Sequence, residues 1–171
     1  MKGYVQVYTG NGKGKTTAAL GQALRAAGGG LRVFIAQFLK GIHYSELDSL
    51  KRFEDLITVR QYGKKGFVKN HPAARDKHLA LQGLEEAKQA VISGNYDMVV
   101  LDEANVAVHM GLFPVEKLLE IIDQKPRHVE LIITGRNAHN QLIARADLVT
   151  EMKEVKHYFH NGVKARRGIE R

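Results

Sequence analysis

The stretch Tyr4-Val5-Gln6-Val7-Tyr8-Thr9-Gly10-Asn11-Gly12-Lys13-Gly14-Lys15-Thr16-Thr17 decides the fold of this chain. Residues 4 to 8 read as a first strand. Glycines then recur at 10, 12 and 14, and a helix is expected from Thr16 to Ala27. A strand, a glycine-rich turn and a helix opening in Lys-Thr-Thr form the context of a P-loop. Glycines let the backbone bend so that successive N–H groups point at one anion, and the positive end of the following helix points at it too. On this reading Gly10, Asn11, Gly12, Lys13, Gly14, Lys15, Thr16 and Thr17 bind a nucleoside triphosphate. Lys15 carries its ammonium to the outer phosphates, and the Thr16 hydroxyl ligates Mg²⁺. The general pattern has glycine where this chain has Thr9, so the match is to the sense of the motif and not to its letter. A dinucleotide-binding turn does not end in Lys-Thr.

Outward from this loop, strand and helix alternate. The triple glycine Gly28-Gly29-Gly30 supplies a helix C-cap. Leu31 to Phe38 is an apolar, β-branched run, hence a buried strand. A helix over Ser45–Leu56, a strand over Ile57–Tyr62 and a long helix between Ala73 and Ser93 follow. Met98-Val99-Val100-Leu101 is a buried strand ending in Asp102-Glu103. Pro114 opens a helix to about Asp123. Glu130–Thr134 is another buried strand, and Asp147–Met152 a last one. Such alternation implies right-handed crossovers, a mainly parallel sheet and helices on both faces. Ligands then sit at the carboxyl ends of the strands. There a strand ending in Asp-Glu sets acids beside the phosphate loop, so Asp102 and Glu103 join Thr16 as candidate Mg²⁺ ligands. Arg136, after the strand Glu130–Thr134, is within reach of a phosphate or lies on the surface.

Composition bounds the rest. The 171 residues suit one domain, taken as 1–171, with neither linker nor repeat. There is no cysteine, which excludes disulfides, thiolate metal sites and cysteine nucleophiles, and agrees with a reducing cytoplasm. No apolar run reaches the roughly 20 residues of a membrane span, and the N-terminus has no signal-peptide core. The net charge of +8 is concentrated. Residues 51–80 hold eight Lys/Arg against three Asp/Glu, and residues 150–171 hold six against three. Such excess suits an anionic ligand or a solvated surface. The eight histidines show no metal-binding spacing.

Several segments together resemble one family, the P-loop ATP:corrinoid adenosyltransferases. They are Tyr8 to Ala19, Gln37-Phe38-Leu39-Lys40-Gly41, Val99 to Glu103, Ile132 to Asn137, Ala146 to Met152, and the closing run of Lys156-His157-Tyr158-Phe159, Gly162-Val163-Lys164-Ala165 and Gly168-Ile169-Glu170. Thr9 before Gly10 is usual in that family. The resemblance implies a RecA-like fold, usually a homodimer, and transfer of the 5′-deoxyadenosyl group of ATP to the cobalt of a reduced corrinoid with release of triphosphate. It implies an electron donor that reduces Co(II). Lys15, Thr16 and Glu103 take the catalytic roles, with Mg²⁺ on Thr16 and Glu103. Phe67, after Gly66, matches an aromatic that helps displace cobalt's lower ligand; the tryptophan often found two residues later is replaced by Lys69. This sequence begins at the first strand, without the N-terminal helix that covers the active site in longer members. Two other classes fit a P-loop by itself: a small-molecule kinase, which needs an acceptor base and usually an arginine-bearing lid, and a nucleic-acid-binding ATPase, suggested by the basic segments. Neither accounts for the closing motifs.

Overall fold

The strand Val33–Phe38 is buried at all six positions, which is what a continuous apolar run does when both faces of a parallel sheet are covered. The computed structural model describes residues 2–64 and 72–170, and Phe67 lies outside them. Six strands form one sheet: β1 Val5–Thr9, β2 Val33–Phe38, β3 Ile57–Tyr62, β4 Met98–Asp102, β5 Glu130–Thr134 and β6 Leu148–Glu151. Their order is β3-β2-β4-β5-β1-β6, and every pairing is parallel. Period-2 alternation divides the sheet's side chains between two cores. Val7, Phe34, Phe38, Val99, Leu101, Leu131 and Ile133 face one core. Val33, Ile35, Met98, Val100 and Ile132 face the other.

The helices are α1 Lys15–Gly28, α2 Ser45–Leu50, α3 Ala74–Ile92, α4 Ala104–His109, α5 Val115–Gln124 and α6 Asn140–Arg145. Helix α1 lays Ala19, Leu20, Ala23, Ala26 and Ala27 on the second core, a stripe at helical spacing. The triple glycine ends it as expected. Gly30 takes φ 80°, and its N–H bonds to Ala27 O at 2.9 Å.

The expected helix over 45–56 is shorter. It stops at Leu50 and continues as one 3₁₀ turn, Lys51–Phe53. Leu56 O must accept from Val33 N at 2.8 Å, so the chain has to extend there to enter β3 beside β2. Helices α4 and α6 have no counterpart in the sequence reading. Each has six residues, too few for periodicity to show. Burial of Ala104, Asn105 and Ala107 holds α4, while the His139 side chain caps α6 by accepting from Gln141 N.

Helix α3 crosses the sheet on Gly83. A Cβ there would lie 2.3 Å from Tyr62 Cγ. Tyr62 cannot swing aside readily: its ring is core, 5 % exposed, and its hydroxyl donates to Glu86 at 2.6 Å. Helix propensity alone would reward Gly83→Ala by about 1 kcal/mol. Overpacking costs about 1–3 kcal/mol, so the clash wins. Gly83→Ala is expected to lower stability by up to about 2 kcal/mol net, read as a fall in the urea midpoint. A rise would show that α3 can shift off Tyr62.

Candidate functional site

The carboxyl ends of four adjacent strands, β2, β4, β5 and β1, supply one row of polar residues. The P-loop follows β1. Gly10 and Gly14 stand at φ 94° and 120°, a region open to glycine and unfavourable to residues with a Cβ. Packing imposes a second demand. Gly12 N donates to Met152 O at 2.7 Å, and Met152 N to Thr9 O at 2.9 Å. A Cβ on Gly10 or Gly12 would lie 2.4 or 2.8 Å from Met152 O. These glycines are therefore required by the packing of the chain that leaves β6. The N–H of Gly12 is already committed to Met152.

Lys15 is buried, and its Nζ donates to Gly10 O at 2.7 Å and Gly12 O at 2.6 Å. Burial lowers its pKa, with the charge of Glu103 opposing. Thr16 Oγ1 donates to Asp102 Oδ1 at 2.8 Å. The same oxygen accepts from Thr134 Oγ1 at 2.7 Å. Asp102 Oδ2 pairs with Lys40 Nζ at 2.9 Å and accepts from Gln37 Nε2 at 3.3 Å. Gln37 is itself held by Gln61 Nε2 at 3.0 Å. Asp102 is fully buried, and four donors saturate its carboxylate, as a buried charge requires.

Glu103 follows at φ 63°, a left-handed conformation uncommon outside glycine. Its N–H donates to Thr134 Oγ1 at 3.0 Å. Burial, then the neighbouring charge of Asp102, raises its carboxyl pKa; Lys40, Lys15 and Arg136 pull it back. Glu103 is thus the shared neighbour of three cations from three strand ends.

These groups face a cleft of about 830 Å³, within the usual size of a small-molecule site. Residues 12–17, Lys40, Glu103 and Arg136 line it, with Tyr44 and Glu46 on one side and His157 and residues 168–170 on another. The segment after β6 folds back over the loop, where Lys13 Nζ donates to Ile169 O at 3.0 Å. The Glu170 carboxyl, lowered to about 2 chiefly by hydrogen bonds from Arg166 and then Tyr158, pins the segment's end.

The structure therefore brings Gly12, Lys13, Gly14, Lys15, Thr16, Thr17 and Glu103 together at the cleft. Asp102 lies behind them. Gly10 and Asn11 are not among the lining residues; Gly10 turns toward Met152 and Asn11 is exposed. Sequence reasoning missed Gln37, Lys40 and Thr134. The rule that ligands gather at strand carboxyl ends points to Lys40 and Thr134. Gln37 stands in a segment that carries the family resemblance, Gln37-Phe38-Leu39-Lys40-Gly41, but nothing local in the sequence marks it as a partner of Asp102.

All of the chain, residues 1–171, matches the family described as ATP:corrinoid adenosyltransferase BtuR/CobO/CobP. It is 38% identical over 170 residues to the corrinoid adenosyltransferase CobA of Salmonella typhimurium, covering 99% of this chain and 86% of that protein. It is 36% identical over 170 residues to the corrinoid adenosyltransferase of Escherichia coli K12, with the same coverage. A third relative, from Sinorhizobium sp, is 36% identical over 172 residues, 99% of this chain and 80% of that protein.

The raised Glu103 pKa has a stability consequence with a definite sign. A carboxyl whose folded pKa lies above its unfolded value makes the charged form a burden on the native state. That burden is full above the folded pKa and vanishes as pH falls through it toward the unfolded value. In metal-free buffer, Glu103→Gln is expected to raise the melting temperature near neutral pH, and the gain should shrink to nothing in acid. An equal or lower melting temperature at neutral pH would mean that Lys15, Lys40 and Arg136 outweigh burial.

Proposed function

The chain belongs to the ATP:corrinoid adenosyltransferase family BtuR/CobO/CobP, and from that membership we propose that it transfers the 5′-deoxyadenosyl group of ATP to the Co(I) centre of a reduced corrinoid, in the formation of adenosylated cobalamins. The observation that carries this reading is a full-length family match joined to a P-loop cleft lined by Lys13, Lys15 and Arg136. The cobalt is substrate. Co(I) donates its electron pair to C5′ of ATP, a Co–C bond forms, the C5′–O bond breaks, and inorganic triphosphate leaves with that bonding pair. Co(I) is itself a strong nucleophile, so the protein need not provide one. Its tasks are to hold C5′ in line with cobalt and to stabilise charge gathering on the triphosphate. Lys15 and the loop N–H groups suit the second task.

A divalent cation fits the residues present. Thr16, Asp102 and Glu103 offer only oxygen, the donor a hard cation prefers. Among the described residues no group of three or more His, Cys, Asp or Glu could hold a metal ion. Mg²⁺ characteristically keeps several waters and binds through one or two carboxylates plus substrate phosphates. Thr16 and Glu103 would hold it, with Asp102 acting through Thr16 or water because its oxygens are already saturated. When bound it supplies positive charge to the phosphates.

The finer parts of the reading rest on the family. An external electron donor supplies Co(I). Phe67 serves the corrinoid side. On the same family reading the protein works in the cytoplasm. A homodimer is supported by the edge strand β6, exposed at all four positions, with Leu148 45% and Val149 42% exposed. Unpaired apolar edges of this kind are usually covered.

Lys15→Ala is expected to lower the rate on the order of 10²-fold or more, the size of losing one charge-stabilising group, with the fold retained by circular dichroism. The assay is the phosphate product formed from ATP with reduced corrinoid. Triphosphate supports adenosyl transfer, whereas phosphate or ADP would point to a kinase or ATPase. Phe67→Ala is expected to lose activity on a Co(II) corrinoid plus reductant by about 10-fold while sparing pre-reduced Co(I) substrate and ATP binding. Equal loss in both assays with a lower melting temperature would reduce Phe67 to a packing residue.

A further inference from the structure

Lys40 has no part in the reading above. It enters the site from the end of β2, at the far end of the row β2-β4-β5-β1 from the P-loop. Its side chain is 12% exposed, with Nζ 2.9 Å from Asp102 Oδ2 and 3.6 Å from Glu46 Oε1, over the Tyr44 ring at 5.1 Å. It also lines the P-loop cleft. An ammonium enclosed by two carboxylates and an aromatic face has lost most of its positional freedom, so it is preorganised.

Two observations argue against a role confined to pairing Asp102. Asp102 already accepts from three uncharged donors, Thr16, Thr134 and Gln37, which could satisfy a buried carboxylate with no lysine. The residue before Lys40, Leu39, also stands at φ 62°. Strained left-handed residues persist where surrounding structure holds them for a purpose. Here the strain turns the chain at the end of β2, as Glu103 does at the end of β4. Lys40 and Thr16 occupy the two oxygens of one carboxylate, and both residues line the same cleft.

We propose that Lys40 is a second phosphate-binding cation of the cleft, a tethered counter-ion that takes the triphosphate's charge from the β2 side while Lys15 takes it from the loop. The proposal rests on the assignment of a triphosphate to this cleft. It does not depend on the chemistry at cobalt, because binding alone tests it.

The experiment uses the full chain and inorganic triphosphate, titrated by calorimetry at fixed Mg²⁺. Lys40→Gln keeps a hydrogen-bond donor for Asp102 and removes the charge; Lys40→Arg keeps the charge. The expected result is a loss of triphosphate affinity of about 10-fold or more for Lys40→Gln, the size of one charge-assisted contact, with Lys40→Arg within about threefold of the unaltered protein. Affinity within about twofold in Lys40→Gln would overturn the proposal. So would equal losses in the two variants, since charge would then not be what matters. Melting temperatures without triphosphate identify a variant that fails to fold, and Lys40→Met then serves as the second uncharged variant, judged by the same comparison. The reaction is read separately. If the unaltered protein binds triphosphate yet makes none from ATP and reduced corrinoid, the adenosyl-transfer reading fails while the Lys40 result stands.

Discussion

The carboxylate of Asp102 is the constraint on which the rest of the site depends. It is fully buried at the end of β4, where an unpaired charge would cost several kcal/mol. Its four donors come from four places: Thr16 at the start of α1, Thr134 at the end of β5, Gln37 inside β2, and Lys40 just beyond it. Satisfying one buried charge therefore fixes the relative positions of three strand ends and the P-loop helix. The strands supply the rigidity and the carboxylate supplies the register.

Close packing under the phosphate loop is the second constraint. Gly10 and Gly12 lie against the backbone at Met152, nearer than any Cβ allows. Among the described residues strand β6 pairs only with β1, from Gln6↔Leu148 to Thr9↔Glu151, and its exit forms the floor under the loop. The loop's conformation thus depends on residues more than a hundred positions away. The same exit leads into the segment that returns to Lys13 through Ile169, which makes the closing residues part of the cleft wall.

Electrostatic tension distinguishes the cleft from the core beneath it. Two adjacent carboxylates stand among Lys15, Lys40 and Arg136, with burial and mutual repulsion raising the pKa of Glu103 and burial lowering that of Lys15. Neither shift favours the folded state. Both belong to groups that line one cleft, as perturbed groups in functional sites commonly do. The left-handed residues Leu39, Glu103 and Asn137 follow the ends of β2, β4 and β5, so backbone strain gathers on the same edge.

Local pattern by itself determined the kind of fold. Glycines at 10, 12 and 14 between an apolar strand and a Lys-Thr-Thr helix start specify a phosphate loop, because turn and helix end are made by neighbouring residues. The apolar runs ending at Phe38, Asp102 and Thr134 specify buried parallel strands, since only a sheet covered on both faces buries consecutive side chains. The bounds of β5 follow from the same signal, whereas α4 and α6 are too short to carry one. Tertiary structure alone decided the strand order and the company each charged group keeps. The bonds from Thr16, Gln37 and Thr134 to Asp102 span 86, 65 and 32 residues. A contact between distant residues leaves no periodicity in the chain, so Lys40, Gln37 and Thr134 became part of the site only when the sheet set β2, β4 and β5 side by side.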